Sequence, residues 1–97
     1  SETRDIAVLA QAFNVGYAPH VGWSGAVCAA ASLQLAAAMP AFTSFECMFI
    51  ANPLRDELTT KPVGSAKTLV DGQVAVPQGP GLGIEINWDA VQRFRVD

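Results

Sequence analysis

NVGYAPHVGWSGAVCAAASLQLAAAMP, Asn14–Pro40, is the stretch whose reading decides the fold. Val15 to Ala18 is a short apolar run, read as a buried strand that ends at Pro19, which has no N–H to donate. His20, the chain's only histidine, follows at once. A Gly/Ser loop then leads into an alanine-rich segment that reads as a helix. Ser24 is its expected N-cap, its body runs to about Met39, and Pro40 stops it. A strand that delivers a histidine at its C-terminal end, before a loop and a helix, is how α/β barrels present catalytic side chains. The helix is apolar on nearly every side, so it calls for more cover than its neighbours supply.

Working outward, Ile6, Leu9, Ala10 and Phe13 fall at i, i+3, i+4, i+7 within Glu2–Phe13, which predicts an amphipathic helix with that stripe buried. Asn14 suits the end of it, because asparagine tolerates the left-handed conformation. FTSFECMFI, Phe42–Ile50, is a second apolar strand candidate with Glu46 in its middle. A carboxylate in such a run is costly to bury unless something pairs with it. Helix, strand, helix, strand predicts parallel strands joined by crossover helices. Beyond Asn52-Pro53 the pattern loosens: one helical turn over Leu54–Leu58, loop over Thr59–Ala66, and a hairpin over Thr68–Val76 turning at Asp71-Gly72. PQGPGLG, Pro77–Gly83, is too rich in glycine and proline for a regular element. It lacks GxGxxG spacing and a Walker lysine, so it reads as a chain reversal and not a phosphate loop. Asn87 is the expected cap of a last short helix, Trp88 to about Phe94.

Composition narrows the function. The 97 residues leave room for one small domain. They are 51% hydrophobic and 15% charged, with mean hydropathy +0.27, which is apolar for so short a chain and points to a tight homo-oligomer or to a piece of a larger protein. A net charge of −3, with the six Lys and Arg residues scattered, argues against nucleic acid and against an anionic membrane surface. Val27–Met39 is too short to span a bilayer, and the charged start SETRDIAV is not a signal peptide. Cys28 and Cys47 show no metal or redox spacing and are read as buried thiols of a cytoplasmic protein.

Alone, His20 would more often be a structural histidine, and Glu46 a solvent-facing carboxylate. Together they are two titratable groups, each at or near the C-terminal part of a strand and separated by one helix, which adjacent parallel strands would bring to one rim. Imidazole suits proton transfer near neutral pH, and a partly buried carboxyl beside a substrate can donate or accept a hydrogen bond. Trp23, three residues from His20, is a candidate pocket wall, although packing against the following helix fits it equally. Arg55, Asp56 and Glu57 read as a solvated turn with ion pairs of little energetic value.

Five motifs in order carry a resemblance: APH (Ala18–His20), AASLQLAAAMP (Ala30–Pro40), FEC (Phe45–Cys47), NPLRDEL (Asn52–Leu58) and VPQGPGLGIEINWDAV (Val76–Val91). Together they resemble the C-terminal part of enolase-superfamily enzymes, within them the mandelate racemase/muconate lactonizing group, and most its acid-sugar dehydratases. The resemblance implies an α/β fold, a modified TIM barrel with an N-terminal capping domain. Residues 1–58 would supply the sixth helix, the seventh strand and helix, and the eighth strand; residues 59–97 would be a tail packing on barrel and cap.

By the same resemblance His20 matches the general acid/base after the seventh strand. Glu46 matches the eighth-strand glutamate that hydrogen-bonds the substrate carboxylate as it becomes an enediolate. The family's Mg²⁺ ligands, Lys-x-Lys base and histidine-orienting aspartate come from earlier strands and have no counterpart here, so no metal ligand is expected in this chain. The expectation is therefore a C-terminal segment, inactive by itself, of a Mg²⁺-dependent enzyme that abstracts the proton α to a carboxylate, a sugar-acid dehydratase first. The alternatives are a racemase, epimerase or cycloisomerase of the same superfamily, or a stand-alone non-catalytic α/β oligomerisation module. Implied partners are a small carboxylate substrate, the preceding part of the same enzyme and further copies of it.

Overall fold

Local signals place the helices where the chain starts and stops them. The computed structural model describes residues 2–97. Helix α1 covers Glu2–Ala12 and ends at Asn14, whose φ of +54° is the left-handed stop that the residue type suggested. Its expected apolar stripe is not buried: Ile6, Leu9 and Phe13 are 62%, 60% and 73% exposed, and only Ala7 lies inside. The periodicity is real, but burial needs a partner, and residues 13–97 meet α1 on the Ala7 side.

After α1 the chain runs extended without forming a regular strand. Tyr17 is buried while Val15 is 57% exposed, against the expected buried run. A single parallel bridge joins Tyr17 to Phe42, built from the Tyr17 N–H donating to Ala41 O (2.7 Å) and the Thr43 N–H donating to Tyr17 O (2.9 Å). The parallel pairing across one helix is therefore present as one rung. Residues 42–50, expected as a strand, are bridged only at Phe42 and Met48. Regular strand geometry needs consecutive ladder bonds, and among the described residues these segments have only isolated bridges, Tyr17–Phe42 and Met48–Ser65. Gly16 permits the approach, since a Cβ there would stand 2.6 Å from Thr43 Cγ2.

Helix α2, Ala26–Ala38, carries the core. Gly25 is its N-cap, not Ser24. The Ser24 hydroxyl is spent on Val21 O, which also accepts the Ser24 N–H, so the serine closes the preceding turn. Ala26, Ala29, Ala30, Leu33 and Ala36 form the buried face, at the 3–4-residue spacing of a helix stripe. Ala26, Ala30 and Leu33 pack with Val63, and Phe45, Leu58, Val74, Leu82 and Ile84 border the cluster. Small residues on α2 let backbone come close: a Cβ at Gly64 (φ +61°) would sit 3.0 Å from Ala29 Cβ. The outer face is open, and Cys28 on it is exposed; Cys47 is half-buried, and both are free. The expectation of two buried thiols fails because Cys28 falls opposite the alanine stripe.

The remainder wraps this helix. Helix α3 (Pro53–Asp56), a 3₁₀ turn (Ala66–Thr68), strands β1 (Leu69–Val70) and β2 (Gln73–Val74), and helix α4 (Trp88–Arg93) follow in order. β1 and β2 pair antiparallel around Asp71 and Gly72, both at positive φ, the backbone a type I′ turn requires. The Pro77–Gly83 reversal is tied to α2 by Gln34, whose Nε2 donates to Pro77 O (2.8 Å) and Leu82 O (3.2 Å). Asn87 caps α4, its Oδ1 accepting the Ala90 N–H at 3.2 Å. A bridge between Thr59 and Ile86 fastens the tail beside Leu58. No helix among the described residues is long and apolar enough to cross a membrane.

Candidate active site

The Tyr17–Phe42 rung sets two segments side by side, and each delivers one titratable group three to four residues further on. His20 Nε2 lies 3.6 Å from Glu46 Oε2. That is ion-pair range but too long for a hydrogen bond, and no hydrogen bond to the imidazole occurs among the described residues. The ring is 85% exposed, open to a substrate.

Glu46 Oε2 is held by the loop. It accepts the N–H of Gly22 at 2.7 Å and of Val21 at 2.8 Å, two successive amides aimed at one oxygen in the manner of an anion nest. Gly22 has φ +40°, and a Cβ on it would stand 3.0 Å from His20 Cε1, so only glycine lets the loop turn under the imidazole. The Gly22 and Val21 amides hold the Glu46 carboxyl below its ordinary value of 4.5; partial desolvation opposes them, and the charges of His20 and Arg55 add to the lowering. Glu46 is thus an ionised acceptor at rest, with Oε1 bonded to no protein donor among the described residues.

The charge cluster after Asn52-Pro53 is not a solvated turn. Arg55 is 1% exposed. Its Nη2 donates to Gly22 O (2.5 Å) and its Nε to Ser24 O (3.1 Å). Asn52 Nδ2 donates to Trp23 O at 3.3 Å. Charge-assisted bonds of this kind are worth about 1.5–3 kcal/mol each, which outweighs the one buried donor of Arg55, Nη1, left unpaired. Asp56 pairs with Lys67 at 3.0 Å and Glu57 with Arg93, so the three charges stitch α3 to the loop, the 3₁₀ turn and α4. Sequence reasoning missed Arg55 because a buried and a solvated arginine look alike in a helical turn; its acceptors lie 31 and 33 positions away.

Trp23, in the loop that follows His20, is 66% exposed. A cleft of about 580 Å³ lies between residues 60–64 and 75–85 and includes neither His20 nor Glu46. Among the described residues no three His, Cys, Asp or Glu side chains cluster as a metal site would require. The His20–Glu46 pair does not substitute for one, because the inward carboxylate oxygen already takes two amides.

A histidine and an anchored carboxylate thus lie side by side beyond a parallel bridge whose two segments are joined by a helix. Residues 1–90 match the model of the enolase C-terminal domain-like family, and the chain belongs to that family, whose fold is an α/β barrel of TIM type. It is 40% identical over 104 residues to a D-galactarolactone cycloisomerase of Agrobacterium fabrum, covering 99% of this chain and 26% of the relative. It is 33% identical to muconate cycloisomerase 1 of Rhodococcus opacus (96% of this chain, 24% of the relative). A D-gluconate dehydratase of Thermoproteus tenax is 29% identical (95% and 18%). The chain thus spans about a quarter of the length of its curated relatives. No solved structure matches it.

Proposed function

We propose that this chain is the part of an enolase-superfamily enzyme that carries the seventh and eighth strand ends, with residues 1–58 belonging to the barrel and 59–97 to a tail against barrel and cap. Its chemistry is removal or return of the proton α to a carboxylate, with His20 as the general acid/base. The observation that carries the reading is the exposed imidazole 3.6 Å from a loop-anchored carboxylate. Proton transfer needs an accessible group, and the imidazole is exposed beside a carboxylate that is itself fixed. Glu46 takes the substrate carboxylate or its enediolate on Oε1, and Trp23 walls the approach.

An ionised Glu46 repels a carboxylate, so Glu46 takes up a proton as the substrate binds, the like charge working against its two amide donors. Glu46→Gln retains a donor and is the milder change. No cluster of ligands for the Mg²⁺ that the family resemblance implies occurs among the described residues, and other parts of the enzyme would hold it.

The fate of the intermediate separates the readings. Elimination of a β-hydroxyl makes a sugar-acid dehydratase, as the name of the Thermoproteus relative suggests. Cycloisomerisation is the second reading, and the names of the Agrobacterium and Rhodococcus relatives favour it. Racemisation shares the first step. The test is to incubate the enzyme carrying this chain with D-gluconate and with D-galactarolactone and to follow the products. His20→Asn should lower turnover by roughly 10²–10⁴-fold, the range for a lost general acid/base. Undiminished turnover would contradict the assignment.

A further inference from the structure

We propose that Arg55 is a positioning residue for the acid/base site, clamping from behind the loop that places His20 and seats Glu46; this rests on the proposed role of His20. The loop Val21–Ser24 is gripped on two sides by one segment of chain. Its amides at Val21 and Gly22 donate to Glu46 Oε2. Its carbonyls at Gly22 and Ser24 accept from Arg55 Nη2 and Nε. The two faces of Gly22 are therefore fixed at once, the N–H by a carboxylate and the C=O by a guanidinium. Gly22 lies close against the imidazole, since a Cβ built on it would stand 3.0 Å from His20 Cε1, so the path of this loop bears on where the ring sits.

A guanidinium suits this task better than an ammonium. Its planar fork reaches two carbonyls two residues apart with no side-chain freedom left, whereas a lysine is a single point donor. Burial at 1% exposure removes solvent competition for those carbonyls. Arg55 touches neither His20 nor any position a substrate can reach, so its effect passes through the loop.

The experiment uses the full-length enzyme carrying this chain, with variants Arg55→Met, Arg55→Lys and His20→Asn. Readouts are kcat and KM, and hydrogen exchange at the Val21 and Gly22 amides, all across pH. R55M should lose about 10²-fold in kcat, the scale of a displaced catalytic group, with little change in KM. Its Val21 and Gly22 amides should exchange faster. With the amides no longer fixed on Oε2 and the Arg55 charge gone, the Glu46 carboxyl rises, so the acid-dependent loss of Val21 and Gly22 amide protection moves to higher pH. R55K should fall between R55M and wild type.

Wild-type kcat and wild-type amide protection across pH in R55M would overturn the proposal, since the side chain would then be packing only. If R55M does not fold, R55K decides, because one ammonium cannot span both carbonyls: lowered kcat with faster loop exchange supports the clamp, and wild-type values overturn it. Wild-type turnover in H20N would overturn the underlying reading and the clamp with it, whereas loss in H20N with none in a folded R55M overturns the clamp alone.

Discussion

His20 and Glu46 stood out in the sequence because polar, titratable groups are rare in apolar runs, and the structure brings both to one place. Their immediate surroundings were not legible. That Glu46 is anchored by amides 24 and 25 residues back, and that Arg55 is buried, depends on how the loop turns at Gly22, which no local pattern announces. The anchoring has a pH signature. The folded Glu46 carboxyl lies below 4.5, chiefly through the Gly22 and Val21 amides. A depressed carboxyl contributes stability that is complete above the unfolded value and lost as pH falls through the folded one. In the enzyme carrying this chain, amide protection at Val21 and Gly22 should therefore hold at pH 5 and above and decline below about 4.5. Site-resolved hydrogen exchange against pH checks this. In Glu46→Gln the acid-dependent part should vanish, and protection that still declines identically would place the titrating group elsewhere.

Helices, the hairpin and the Asn87 cap could be read from spacing and turn chemistry, since each is fixed within a few residues of chain. Strands could not, because a strand exists only with its neighbours; Val15–Ala18 and Phe42–Ile50 have the composition but one parallel rung between them. The buried stripe of α1 was misjudged for the same reason: periodicity names the face that wants cover but not what covers it. On α2 the cover is present. Leu33 is 4% exposed at the centre of the cluster with Ala26, Ala30 and Val63. In the enzyme carrying this chain, Leu33→Ala should cost about 2–5 kcal/mol, read as a lowered denaturant midpoint at unchanged slope. A loss below 0.5 kcal/mol, the range of surface substitutions, would mean that α2 does not organise the core.

Taken together, residues 2–97 make a loose body. The radius of gyration is 14.1 Å, against about 12.5 Å for a compact domain of this length. Ile6, Leu9, Phe13, Phe49 and Trp88 are each at least 60% exposed. The high hydropathy anticipated such surface, and a chain matching a quarter of its relatives' length accounts for it if the rest of a barrel covers it. The 97-residue polypeptide alone should accordingly self-associate in sedimentation experiments. A sharp monomer that melts cooperatively would favour the stand-alone module instead. The central claim is that His20 moves the proton α to a carboxylate, and solvent-deuterium exchange at that carbon measures this directly. The enzyme carrying this chain should wash deuterium into the α position of its substrate, and His20→Asn should suppress that incorporation while Glu46→Gln only slows it. Incorporation in His20→Asn at the wild-type rate would contradict the account and leave His20 a structural residue.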